Sequence, residues 1–306
     1  MLPFHFAEAN HERREQMNTL EVKHITKTYP SFKLDDVSFE IKEGSICGFI
    51  GRNGAGKTTA LKGIMGLIHL DSGEVYTFGK NLYENEDENR QEIAFSMAEI
   101  SYFPDAKIGL LTKVTSKFYK NWNQETYEKL CKRFGLEQNK KIKELSTGMK
   151  VKYSLAVALS HNAKLLILDE PTSGIDPVSR DEILDIFKLI VKDGKRSILF
   201  STHITSDLDK CADHIVYIKK GKIISSKEKN DFIDDYMYIT GPMSEFDSVK
   251  DLIVSHKEDQ GEFTALIRAE NCKGLSKEIT QKLPDLDTIM VYEERKDDLE
   301  DEEFTL

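Results

Sequence analysis

An α/β fold around a largely parallel sheet is what this chain predicts, with a helical subdomain inserted into it and a small α/β appendage behind it. Three observations carry the prediction. The apolar run Ser45–Ile50 leads into a glycine-rich loop and then into a helix-compatible stretch from Lys57. A second run, Lys164–Leu168, ends on two carboxylates and has the composition of a strand covered on both faces. Strand-like and helix-like segments alternate from Leu20 to about Ser226, the pattern of an α/β layer structure.

Residues 1–16 show no periodicity, and a second methionine, Met17, opens the strand-like segment Thr19–Ile25. Met17 is therefore expected as the native start: Arg13-Arg14 can be encoded AGGAGG, a ribosome-binding sequence just upstream of a Met17 codon. The other reading is a short N-terminal extension. Val37, Phe39 and Ile41 alternate with polar residues, as in a half-buried strand. Residues 99–160 are mostly helical in pattern, include Lys150–Leu159 and the single tryptophan, Trp122, and read as the inserted subdomain. Asp176-Pro177 starts a helix, with proline at its first position. Ile183, Phe187 and Ile190 share one face of it and Gly194 closes it. Ser197–Ser201 is the next strand, and His214–Ile218 with Lys222–Ser225 forms a hairpin around Lys220-Gly221. The main domain thus spans 17–227. A small α/β domain follows at 228–292, with strands expected at Met237–Ile239, Phe263–Arg268 and Thr288–Tyr292. An acidic tail, 293–306, is expected to be disordered.

Of 306 residues, 39% are hydrophobic and 31% charged, enough for a sizeable core and against global disorder. The net charge of −10 argues against broad nucleic-acid binding, which needs a clustered basic surface. Eight acidic and two basic residues fall in Glu293–Leu306, so a net of −6 sits in the tail. No stretch approaches a membrane span, and no basic segment followed by an apolar run marks a secretory signal. Cys47, Cys131, Cys211 and Cys272 are scattered without a CxxC pair and read as single thiols in a reducing compartment. A soluble cytoplasmic protein is expected.

Gly51-Arg52-Asn53-Gly54-Ala55-Gly56-Lys57-Thr58 fits GxxxxGK[ST], the phosphate loop of P-loop NTPases. Successive N–H groups in such a loop converge on phosphate oxygens, and the following helix adds positive potential. Glycines let the backbone close in. Lys57 is assigned to the β/γ-phosphates, the Thr58 hydroxyl to Mg²⁺ and Thr59 to the α-phosphate. Leu165-Leu-Ile-Leu-Asp169-Glu170 is an apolar strand ending in two carboxylates, at the sheet edge where α/β proteins place ligand chemistry. Asp169 suits Mg²⁺, and Glu170 suits a base or water-orienting residue in line with the γ-phosphate. His203 follows the next strand and comes to the same edge, where an imidazole can sense the γ-phosphate.

At this point the residues resemble the ATP-binding cassette (ABC) ATPases, over about residues 18–227. The resemblance rests on Gly51–Thr58, then Leu145-Ser146-Thr147-Gly148-Met149, similar to the family's LSGGQ signature, then Leu165–Glu170, Ser173-Gly-Ile-Asp176 and His203, in the family's order. It implies that Tyr29 stacks on adenine. It also implies a head-to-tail dimer with two ATP–Mg²⁺ at the interface. Ser146 and the Gly148 N–H reach the γ-phosphate bound by the partner, and the Asp176 loop reports on the opposite site. The partners implied are a second ATPase subunit, identical or not, and a separately encoded membrane permease. The chain would lie on the cytoplasmic face of the membrane through that permease, with no nucleic acid expected.

Two departures stand out. The signature has Thr147 and Met149 in place of Gly and Gln, while its hydroxyl and second glycine remain. The family's Mg²⁺-contacting Gln is missing from Ile93-Ala-Phe-Ser-Met-Ala98-Glu99, where Ala98 holds the strict position and Glu99 is the neighbouring carboxylate that can take the metal. Within the family the chain looks like single-cassette ATPases of Gram-positive exporters, whose type-2 permeases move antibiotics, peptides or amphipathic toxins. Lys120-Asn-Trp-Asn, the run Lys140–Lys150 and the C-terminal appendage support that. The alternatives are a soluble cassette ATPase acting on a macromolecular assembly and a nucleotide-binding regulator without turnover. The first is disfavoured by the single phosphate loop and the lack of coiled coils or zinc sites. Retention of Lys57, Asp169, Glu170 and His203 disfavours the second.

Overall fold

The computed structural model describes residues 17–84, 86–96 and 103–301. The expectations about residues 1–16 and Glu99 lie outside the described residues. β1 (Asn18–Tyr29) and β2 (Phe32–Lys42) form an antiparallel hairpin. Leu20, Val22 and Ile25 of β1 and Val37, Phe39 and Ile41 of β2 point inward. β3 (Ile46–Ile50) then enters the centre of the molecule and is followed by α1 (Lys57–Ile64). β4 (Ser72–Thr77) and β5 (Lys80–Asn81) complete the first sheet, in the order β2-β1-β4-β5. After α2 (Glu86–Glu92) and β6 (Ile93–Ser96) come three helices, α3 (Ile108–Thr115), α4 (Gln124–Phe134) and α5 (Thr147–Ser160).

The chain returns to the centre as β7 (Leu165–Leu168), α6 (Pro177–Val191), β8 (Ser197–Thr202), α7 (Thr205–Cys211), β9 (His214–Lys219) and β10 (Lys222–Glu228). The second sheet has the order β10-β9-β3-β8-β7-β6. Its members pair in parallel except β10, which closes a hairpin on β9. Residue parity along these strands separates two cores. Cys47, Phe49, Leu165, Ile167, Leu199, Val216 and Ile218 pack against the antiparallel sheet and α1. Ile46, Ile50, Leu166, Leu168, Ile198, Phe200, Ile215 and Tyr217 pack against α4 to α7. Burial on both faces leaves no polar position in the middle of a strand, hence the uninterrupted apolar runs. This is the P-loop type of α/β fold that the sequence predicts.

The C-terminal part starts with α8 (Lys229–Asp234). β11 (Tyr236–Pro242), β12 (Ile253–Asp259), β13 (Glu262–Arg268) and β14 (Thr280–Lys282) form an antiparallel sheet in the order β12-β13-β11-β14. Two expected strands, Met237–Ile239 and Phe263–Arg268, lie in β11 and β13. The third does not exist: Thr288–Tyr292 lies inside a helix, α9 (Leu286–Asp301). Residues 293–301, expected to be disordered, continue that helix. Asp285 Oδ1 accepts the Thr288 N–H at 2.8 Å where the helix begins. Leu286, Ile289, Met290 and Glu293 are buried at the i, i+3, i+4, i+7 spacing of one helical face. Packing of that face overrides the β-branched composition of the run. The C-terminal part keeps a small core of its own around Ile239, Phe263 and Ile267. Its Phe232, Tyr236, Leu286 and Ile289 nevertheless join the larger core beside Tyr217.

Candidate functional site

The phosphate-loop segment leaves β3, whose five residues are all buried. A side chain at Gly51 would put its Cβ 2.3 Å from the Ile218 carbonyl oxygen. Gly56 sits at φ 111° and a Cβ there would stand 2.7 Å from the Phe32 ring, so both positions require glycine. Lys57, 6% exposed, turns back on its own loop. Its ammonium donates to the Gly51 carbonyl at 2.7 Å and the Arg52 carbonyl at 3.3 Å. It also lies 3.2 Å from Glu170 Oε1.

The register Leu168↔Phe200 brings the residues after β7 and β8 to one sheet edge. Thr58 Oγ1 donates to Asp169 Oδ2 at 2.8 Å, and Ser201 Oγ donates to Asp169 Oδ1 at 2.6 Å. The Glu170 N–H donates back to Ser201 Oγ at 2.9 Å. Glu170 adopts φ 48°, a left-handed backbone that a residue with a Cβ takes only where its surroundings enforce it and that clusters at functional sites. Its second carboxylate oxygen pairs with His203 Nδ1 at 2.9 Å. Glu170 is thus clamped between an ammonium and an imidazole.

A cavity of ≈ 880 Å³ opens over these groups. It is lined by Tyr29, Arg52, Asn53, Gly54, Gly56, Lys57, Thr58, Thr59, Glu170 and His203. Phe32, which the motifs do not single out, lines it as well, and so does Ser173, the first residue of the Ser173–Asp176 motif. Gly51, Ala55 and Asp169 are not among its lining residues, and neither are Ser146, Gly148 and Asp176. Ser146 caps α5, its hydroxyl accepting the Met149 N–H at 3.2 Å. Gly148 packs near Ile175 and Ser179, the residues on either side of the Asp176 cap. Asp176 caps α6, accepting N–H bonds from Ser179 at 3.0 Å and Val178 at 3.1 Å. The Ser179 bonds hold its carboxyl below the ordinary range.

Two contributors escaped sequence reasoning. Ser201 joins Asp169 to the Glu170 backbone; its only signal was a small polar residue at the end of a buried apolar strand. Asp207, fully buried in α7, accepts from Thr172 Oγ1 at 2.6 Å and from Arg180 Nε. It ties the loop after β7 to the starts of α6 and α7.

For Mg²⁺ the donor chemistry fits. A hydroxyl and a carboxylate already touch at Thr58 and Asp169, both hard oxygen donors. No group of three His, Cys, Asp or Glu that could hold a metal occurs among the described residues. Mg²⁺ needs none, since it takes one or two carboxylates and fills its octahedron with phosphate and water oxygens.

Comparison with known proteins agrees with this geometry. A family model described as ABC transporter matches residues 34–173. The bacitracin transport ATP-binding protein BcrA of Bacillus licheniformis is 35% identical over 206 residues, 65% of this chain and 66% of that protein. The uncharacterized ABC transporter ATP-binding protein YhcH of Bacillus subtilis (strain 168) is 31% identical over 220 residues, 71% of this chain and 72% of that protein. Among solved structures, an ATP-binding subunit of an ABC transporter superposes with a TM-score of 0.60 at 27% identity, covering 70% of this chain and 91% of the other.

Proposed function

We propose, because the chain belongs to the ABC transporter family and is an ATPase subunit of it, that two such subunits close head to tail over two ATP–Mg²⁺ and drive a separate membrane permease, in the export direction. The observation that carries this reading is the clamp on Glu170: one carboxylate held between Lys57 and His203 on the wall of the phosphate-loop cavity. In the proposed arrangement Lys57 exchanges its loop carbonyls for β/γ-phosphate oxygens. Glu170 holds the attacking water in line, and His203 fixes Glu170 while contacting the γ-phosphate. Mg²⁺ at Thr58 and Asp169 would neutralise charge on the β- and γ-oxygens, and Glu99 is proposed to supply the carboxylate replacing the family's Gln.

The placement of Ser146, Gly148 and Asp176 supports the dimer: none of them lines its own chain's cavity, which leaves the α5 N-terminus available to an anion held by a partner. The bacitracin-transport relative supports export. No helix among the described residues is long and apolar enough to cross a membrane. In this reading the separate permease supplies the span, and pairing with it holds the chain at the cytoplasmic membrane face.

Co-expressed with its neighbouring genes, the chain is expected to sediment with membranes and co-purify with a permease in detergent; a chain that stays wholly soluble sinks the pairing. Tyr29, 39% exposed at the cavity rim, offers its ring to the base. Tyr29→Ala weakens ATP binding about 5–30-fold, while Tyr29→Phe stays within about twofold, since base stacking needs the ring alone. Equal losses in both variants, measured by nucleotide titration, rule stacking out.

A further inference from the structure

The last helix reaches back onto the phosphate loop. Glu294 of α9 accepts a hydrogen bond from the Tyr217 hydroxyl of β9 at 2.8 Å and lies 3.9 Å from the guanidinium of Arg52. Burial, together with the carboxylate beside it, keeps the Tyr217 phenol protonated and donating. About two turns earlier on the helix, Asp287 accepts from Thr205 Oγ1 at 3.1 Å, where α7 begins just beyond His203. The helix is pinned at this height. Glu293, 5% exposed, receives the Tyr236 hydroxyl at 2.7 Å and the Arg268 guanidinium at 3.0 Å. Its carbonyl receives Lys219 Nζ at 2.6 Å. A second cavity of ≈ 440 Å³ lies between α9 and the loop and shares Arg52, Asn53 and His203 with the first. The two partners at 3.9 Å are unequal: the Glu294 side chain is 15% exposed and the Arg52 side chain 63%. The carboxylate is fixed and the cation is free to swing.

We propose that Glu294 is a positioning residue acting through Arg52: it holds the guanidinium toward the C-terminal domain and away from the phosphate site, so that this domain lowers the cassette's affinity for ATP. The proposal rests on the nucleotide reading above. A pair this exposed contributes little to stability. Its leverage is on the bound anion, which is denied an Arg able to bind phosphate.

The test uses the full-length protein titrated with ATP–Mg²⁺ at low salt. Glu294→Gln retains an acceptor for Tyr217, so the helix stays anchored, and equal melting temperatures verify that. If Gln loosens the fold, Glu294→Gln is made in a Tyr217→Phe background, where no buried hydroxyl needs an acceptor, and compared with Tyr217→Phe alone. The variant binds ATP about 3–10-fold more tightly than wild type, and the gain shrinks as salt is raised. In an Arg52→Ala background the same change moves Kd by less than about twofold, because the intermediary is gone. Unchanged or weaker binding by Glu294→Gln overturns the proposal, as does an equal gain in both backgrounds. Wild-type protein that binds no ATP overturns the nucleotide reading itself.

Discussion

Glu170→Gln protein binds ATP and accumulates as a dimer, but turns over at least about 100-fold more slowly than wild type, the scale of a lost base or water-orienting group. The substitution is nearly isosteric. Glu170 is held by its backbone N–H on Ser201 as well as by its side chain, so the left-handed backbone at φ 48° stays in place. Gln still accepts from an imidazole, and Lys57 keeps the Gly51 and Arg52 carbonyls. What disappears is the negative charge facing the attacking water. A phosphate-release assay gives the rate, and size-exclusion chromatography with and without ATP gives the dimer. Hydrolysis within a few-fold of wild type would remove Glu170 from its proposed role.

Lys57→Ala is the second large effect, and it falls on binding rather than on turnover alone. Hydrogen bonds to charged groups are worth about 1.5–3 kcal/mol each, so Kd for ATP rises about 10–150-fold even if only one strong phosphate contact is lost. The loop suffers as well, since the ammonium closes it through two carbonyls, and Glu170 loses its cation. Lys57→Arg does not restore affinity: a planar fork needs a wider, differently shaped space than a site where lysine is 6% exposed. The two variants are thereby told apart. One binds and does not turn over; the other does not bind. Calorimetric titration with ATP–Mg²⁺ checks the second, and a Kd within about threefold of wild type defeats it.

What could be read from the chain followed from how local each determinant is. The central strands were legible because burial on both faces forces an unbroken apolar run, as in Leu165–Leu168. The phosphate loop was legible because Gly51, Gly56 and Lys57 answer to backbone sterics and charge within eight residues. Ser201 was missed because its hydroxyl matters only once two parallel strands set it beside Asp169. The strain at Glu170 leaves no trace in residue type. At Thr288–Tyr292 local composition and tertiary packing disagree, and packing prevails through Leu286, Ile289 and Met290. The same error made residues 293–306 read as a disordered acidic tail. Glu293 and Glu294 instead face Tyr236, Arg268 and Tyr217.

The shared core has a consequence for how this protein can change over generations. Phe232, Tyr236, Leu286 and Ile289 fill space around Tyr217 that belongs to the cassette's own interior. A gene cut after residue 227 would hand that surface to water and strip Tyr217 and Lys219 of their partners on α9. The C-terminal part is therefore not a detachable module that recombination can trade for another. It and the cassette are heritable only as one unit, each constraining the substitutions the other can accept.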